Sequence, residues 1–179
     1  MVRLLHGLEI CLNKGETALI PKKISPYFKT TLQKKNGNNT LIEGALICCN
    51  SHEFEVQIVG EIKCSMLSKM YLLSEDEKTV LEVRCKKCGK VISIFDSSCD
   101  GYGQCEKNKC ERTPTNSIEC KKCLHNDFSV YVKYEYPDLQ ELEELEISEA
   151  DNAFTWIWIT LECNKCGTKY RNFIDLETT

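Results

Sequence analysis

Apolar and polar residues alternate with a period of two along much of this chain, the signature of half-buried β-strands. Phe54, Val56 and Ile58 alternate with Glu55 and Gln57, and Gly60 ends the run. Leu41 to Ile47 is strand-like and delivers Cys48 and Cys49. Val80, Leu81 and Val83 lead into Cys85, and Val91, Ile92, Ile94 and Phe95 lead out of Cys88. Later, Phe128, Val130 and Val132 alternate into Tyr134 and Tyr136, and Pro137 stops the run. Phe154-Thr-Trp-Ile-Trp-Ile-Thr-Leu161 is the strongest strand signal and feeds Cys163, with Tyr170 to Ile174 as the return strand. The pattern predicts an all-β fold of small antiparallel sheets with little helix. Asp138 to Asp151 breaks it: seven acids surround Leu139, Leu142, Leu145 and Ile147, a spacing that fits a short amphipathic helix or an acidic loop.

Three stretches are less legible. In residues 1–40 the apolar positions are mixed, and Lys22, Lys23, Lys29, Lys34 and Lys35 make this the most basic segment. It reads as an edge strand or hairpin followed by a solvated loop, with a turn at Asn36-Gly37-Asn38-Asn39, or as a basic arm. Residues 61–78 read as a connection. Asp96 to Asn116, rich in Gly, Ser, Asn, Asp, Thr and Pro, reads as a linker or ordered loop carrying Cys99, Cys105 and Cys110. The resulting division is an N-terminal segment 1–40, a first unit 41–97, a linker 98–117, and a second unit 118–179 with an acidic insert at 138–151.

The two units match by pattern. A cysteine, Cys49 or Cys123, stands five residues before Phe54 or Phe128; strands follow, then a C-x-x-C-G knuckle and another strand. Phe54 to Phe128 is an offset of 74 residues, and Cys88 to Cys166 one of 78, the difference falling in the variable connection. This predicts two copies of one unit.

The chemistry lies in the cysteines. Cys120-Lys-Lys-Cys123 and Cys163-Asn-Lys-Cys166-Gly167 are two C-x-x-C pairs, the spacing that lets four thiolates close on one zinc. Two intervening residues turn the chain tightly, and glycine after the second cysteine tolerates the left-handed conformation of such a turn. Lysines inside the knuckles offset thiolate charge. The first unit offers Cys85-Lys-Lys-Cys88-Gly89 with Cys49, but Leu46 stands where Cys120 would be matched. Cys48 or His52 would supply the fourth ligand, and Cys48 is the closer match. The expected metal ligands are therefore Cys48, Cys49, Cys85, Cys88, Cys120, Cys123, Cys163 and Cys166, holding two zinc ions. Cys99, Cys105 and Cys110 follow no knuckle spacing; they read as loop thiols, a labile disulfide, or a third metal site with Cys64, His125 or an acid. Cys11 and Cys64 read as packed small hydrophobes.

The paired motif, from Cys120-Lys-Lys-Cys123 to Cys163-Asn-Lys-Cys166-Gly167, resembles the zinc-ribbon family, in which two knuckles at β-hairpin tips share one zinc. The resemblance covers roughly residues 45–96 and 118–176. The closing run, Phe154-Thr-Trp through Lys-Tyr-Arg-Asn-Phe-Ile-Asp175, also resembles small uncharacterised bacterial proteins with paired ribbons. That implies a tandem zinc-ribbon fold and no particular activity.

Charge and composition narrow the function. The 179 residues carry 13 cysteines in an otherwise ordinary composition. No apolar run approaches the roughly 20 residues that span a bilayer, and no signal-like core stands at the N-terminus, which points to a reducing, cytoplasmic setting. Formal charge is −4, and eight thiolates against two dications would take it to −8. That disfavours non-specific nucleic-acid binding. With three histidines and no general base in a motif, no catalytic residues are identified and an enzyme is not expected. The expected function is a non-enzymatic zinc protein that binds another protein. The alternative is a nucleic-acid-binding zinc-ribbon protein, with Tyr131, Tyr134 and Tyr136 stacking on bases. Phe154, Trp156 and Trp158 share a strand face, expected to pack between the ribbons, or to be an interaction surface if exposed.

Overall fold

The computed structural model describes residues 19–59, 61–66, 69–73, 79–102, 116–138 and 150–178. Eleven strands are present among them: β1 Phe28–Asn36, β2 Asn39–Leu46, β3 Phe54–Val59, β4 Glu61–Met66, β5 Lys69–Leu73, β6 Val80–Cys85, β7 Val91–Asp96, β8 Asn116–Ser117, β9 Phe128–Tyr136, β10 Trp156–Cys163 and β11 Lys169–Glu177. Every pairing is antiparallel. The helical elements among the described residues are single 3₁₀ turns at Ser25–Tyr27 and Ala150–Asn152. Whether 139–149 forms the amphipathic helix lies outside the described residues.

β3, β6 and β7 form one meander and β9, β10 and β11 another. The meanders meet where Phe54 pairs with Phe128. Beside that pair, the strand leading into each cysteine turn crosses to the other meander. β2 pairs β9, from Ala45↔Tyr131 to Thr40↔Tyr136, while β8 pairs β3 at Gln57↔Ser117. The two leads thus lie on equivalent edges of opposite meanders. The Cys-to-Phe registers also correspond: Phe54 faces Cys85, and Phe128 faces Cys163.

Alternation sets the core. β9 buries Phe128, Val130, Val132, Tyr134 and Tyr136, and β10 buries Ile157, Ile159, Leu161 and Cys163. Phe95, Tyr134, Tyr136 and Phe154 form an aromatic cluster, with Tyr134 and Phe154 ring centroids 4.8 Å apart. Phe95 belongs to one meander and the tyrosines to the other, so both halves share this core. Phe28 joins it, 6.2 Å from Tyr134. Its ring lies over Gly44, where a Cβ would stand 2.5 Å from it; only glycine admits the hairpin there.

Several sequence expectations are corrected. Residues 61–73 hold a hairpin, β4–β5, packed against β11, and are not a plain connection. Within residues 1–40 the edge-strand or hairpin reading is the one observed, with the long exposed strand β1 in place of a solvated loop and joined to β2 through the predicted Asn36–Asn39 turn. Tyr134 and Tyr136 are fully buried and cannot stack on bases; only Tyr131 points to the other face. Phe154 is buried, but Trp156 and Trp158 are half-exposed rather than packed between the halves. The chain bends at Thr155, so strand parity does not extend back to Phe154. Cys64 is exposed, not packed. Among the described residues no helix is long and apolar enough to cross a membrane.

Candidate metal centre

Two cysteine clusters sit at the ends of the meanders. Cys120, Cys123, Cys163 and Cys166 place four Sγ atoms within 4.8 Å of one another, and Cys48, Cys85 and Cys88 place three. All are free thiols. Both clusters could hold metal ions.

Local sequence builds each cluster the same way. After β6 the chain turns so that Gly89 N–H donates to the Cys85 carbonyl and Cys85 N–H to the Lys90 carbonyl, at 2.8 and 2.9 Å. After β10, Gly167 N–H donates to the Cys163 carbonyl and Cys163 N–H to the Thr168 carbonyl, at the same distances. Gly89 and Gly167 take φ of 75° and 68°, the left-handed conformation that glycine adopts without a Cβ penalty. Lys86 N–H and Asn164 N–H then donate to the Glu53 and Asp127 carbonyls, each 3.0 Å away and each just before the paired phenylalanines. The third turn, Cys120 to Leu124, closes likewise through Leu124 N–H to the Cys120 carbonyl, but Leu124 itself takes φ 57°.

The geometry fits a tetrahedral ion. In the second cluster Cys120–Cys166 Sγ atoms are 3.6 Å apart and Cys123–Cys163 atoms 3.5 Å apart. A disulfide would be near 2.05 Å, whereas sulfurs about 2.3 Å from a tetrahedral zinc stand about 3.8 Å apart. The Tyr170 hydroxyl lies 3.2 Å from Cys120 Sγ and accepts from Lys121 N–H at 2.9 Å, which fixes one ligand from behind. Cys166 Sγ is 3.1 Å from the Thr168 hydroxyl.

The thiols do not ionise alike. Thr168, through its hydroxyl and its N–H, holds Cys166 down at about 6. Burial pushes Cys163 up to about 12, and Cys123 is raised chiefly by burial. Burial opposes ionisation of Cys120 too, but the Tyr170 hydroxyl and the Cys123 and Lys122 amides outweigh it and lower this thiol. Thiols raised by burial, such as Cys163 and Cys123, would give up their protons to a bound cation, so metal binding here would release protons.

The first cluster is more open. Cys48 and Cys85 are buried, Cys88 and Cys49 exposed. Cys48 Sγ is 3.6 Å from Cys88 Sγ and 3.8 Å from Cys49 Sγ. Burial raises Cys48 to about 12, while the Lys90 amide and the neighbouring thiols lower Cys88 to about 7. Cys49 is raised, first through its hydrogen bond with Cys88. Cys49 and Asn50 both take left-handed φ, 54° and 57°, and Cys49, an expected ligand, lies beside Cys48 but outside the group of three mutually close thiols. Leu46 is wholly buried in the core, so Cys48 rather than Leu46 occupies the inward position of this turn. His52 lies outside the cluster, with Nδ1 3.1 Å from the Leu46 carbonyl. Lys86 and Lys87 bond to Asn126 Oδ1 and the Cys49 carbonyl, both at 3.0 Å.

Cys99 is disulfide-bonded and so is no metal-ligating thiol. Cys11, Cys105 and Cys110 lie outside the described residues. The outer sheet face carries Trp156 and Trp158, already singled out in the sequence, stacked at 5.5 Å, with Lys133 Nζ, which the sequence did not single out, 3.8 Å over the Trp158 ring. No family model matches the chain, and neither a curated protein nor a solved structure matches it.

Proposed function

We propose that this chain is a non-enzymatic β-sheet protein braced by two structural zinc ions, built from two copies of one zinc-ribbon-like unit, whose outer sheet face binds a protein partner. The carrying observation is the Cys120–Cys123–Cys163–Cys166 cluster, four thiols at tetrahedral spacing. Four-thiol sites are closed and structural, whereas catalytic zinc keeps a position open for water. In the first cluster Cys49 would complete the set from beside Cys48, and the exposure of Cys49 and Cys88 makes it the weaker site. The crossed lead strands and the matched registers at Phe54 and Phe128 support duplication of one unit. Support for a protein partner comes from the half-exposed stacked tryptophans among charges of both signs, a composition suited to interface anchors.

Removing metal separates a structural from a catalytic role. Adding a strong chelator to the purified chain should abolish its far-UV β signal along with its metal, and returning zinc should restore it. A chain that loses its metal and keeps its fold would refute the structural reading.

A further inference from the structure

We propose that the groove between the β4–β5 hairpin and β11 is a nucleotide-phosphate site, in which Lys69, Lys169 and Arg171 hold the phosphoryl group and Tyr71 stacks on the base. This goes beyond the metal-braced scaffold and does not depend on the tryptophan face binding a protein.

The groove is a cavity of about 590 Å³, lined among the described residues by Lys69, Met70, Tyr71, Lys169, Arg171, Asn172 and Asp175. Its volume falls within the roughly 300–1,000 Å³ of small-ligand pockets and far exceeds a bare phosphate. Three cations face one carboxylate here, in a chain whose net charge is −4. That carboxylate is already occupied: Asp175 accepts from Trp156 Nε1 at 2.8 Å and from Asn172 Nδ2 at 3.0 Å, one bond to each oxygen. Lys169 pairs with Glu162 at 3.1 Å, but neither Lys69 nor Arg171 has an ion-pair partner among the described residues. Cations lining one cavity suit a dianionic oxygen group, and a guanidinium suits phosphate in particular.

The backbone is shaped to make this wall. Between Ile159 and Leu161 of β10, which face Ile174 and Tyr170, β11 carries extra residues. Asn172, within this bulge, takes φ 52°. Bulges re-aim side chains and gather beside functional sites. The opposite wall comes from β5, where Lys69 and Tyr71 flank the buried Met70; Tyr71 is one of two exposed large hydrophobic residues among those described. An exposed aromatic ring beside cations accommodates a base joined to a phosphate. Sugar-phosphate chemistry of this kind has two sources, a free nucleotide or one nucleotide of a single strand.

The test uses a reporter already in place. The chain's two tryptophans are Trp156, bonded to the Asp175 wall, and Trp158, stacked on it. The 179-residue chain is titrated with inorganic phosphate, thymidine monophosphate and a short oligothymidylate, following tryptophan emission and, in parallel, heat by calorimetry. Both nucleotide probes should bind saturably and more tightly than phosphate. Arg171→Glu should weaken them by about tenfold or more, with metal content and circular dichroism unchanged. Tyr71→Ala should weaken the nucleotides but not phosphate. An oligothymidylate that outbinds the mononucleotide beyond its count of nucleotides identifies a strand as the source; equal binding per nucleotide identifies the free nucleotide. No saturable binding up to about 1 mM, wild-type binding by Arg171→Glu, or phosphate as tight as the nucleotide would each overturn the proposal.

Discussion

The two cysteine clusters share a backbone plan and differ in how firmly they are held. In the second cluster Tyr170 stands four residues after Cys166 and bonds both Cys120 Sγ and the Lys121 amide. Four residues after Cys88 stands Ile92, which packs into the core and bonds to no thiol. Two C-x-x-C turns face each other in the second cluster; in the first, one turn is shortened so that Cys48 and Cys49 are adjacent and the second of them is exposed. Similar strands can therefore present two sites of different grip, with the difference residing in groups behind the ligands as much as in the ligands.

The largest way to break this comparison is to remove one ligand from each site. Structural zinc contributes on the order of 10–16 kcal/mol to small domains. Cys163→Ser should leave no cooperative unfolding transition. Cys49→Ala should stay folded, keep the second metal and lose the first, as read by metal content and circular dichroism. Equal damage from both would erase the distinction.

Acid should separate the sites next. A thiol held below its ordinary value binds fewer protons folded than unfolded. Its contribution is therefore present above that ordinary value and is lost as pH falls through the folded one. Without metal those folded values are about 7 for Cys88 and about 6 for Cys166, while burial holds Cys48 and Cys163 up at about 12 in both clusters alike, so the difference between the sites rests on Cys88 and Cys166. Lowering the pH from 8 with a chromogenic zinc indicator should release the first metal before the second, in two steps. One step, or the reverse order by Cys49→Ala comparison, would contradict the ranking.

Tyr170→Phe should bring the second site toward the first. It leaves the Lys121 amide without its acceptor and Cys120 without its hydroxyl, costing about 1–3 kcal/mol. Denaturant unfolding should show that loss, and the second metal should exchange faster. The smallest effect concerns Leu124, which is 72% exposed and takes φ 57° at the place where the other turns have Gly89 and Gly167. Leu124→Gly should stabilise the chain by about 1 kcal/mol by relieving the left-handed penalty. No gain in denaturant midpoint would mean that the turn is relaxed as it stands.

How much was legible in the sequence follows from how local each signal is. The C-x-x-C spacing brought together Cys120, Cys123, Cys163 and Cys166 without any tertiary information, and the alternation in Phe128–Tyr136 and Trp156–Leu161 marked strands that do form. Matching Phe54 with Phe128 also picked out the residues that pair in space. The crossed leads were not legible, because β2 against β9 and β8 against β3 are long-range pairings with no signal in either strand alone. β1 was legible as an edge strand or hairpin, but its lysines left the reading as a basic arm open, since polar residues are tolerated on an exposed edge. β4 and β5 lack clean alternation and carry no strong turn residues between them. The grouping of Tyr131 with Tyr134 and Tyr136 failed on parity: odd positions of β9 face outward and even ones inward. Adjacent Cys48 and Cys49 gave no familiar spacing, so the first cluster was the harder to complete from sequence.

The most direct test counts metals. Elemental mass spectrometry of the chain purified without added metal, with accessible thiols titrated on the same sample, should give two zincs per chain, and the eight cluster thiols should become reactive only after chelation. One zinc, or disulfides within the clusters, would contradict two metal braces built on one plan.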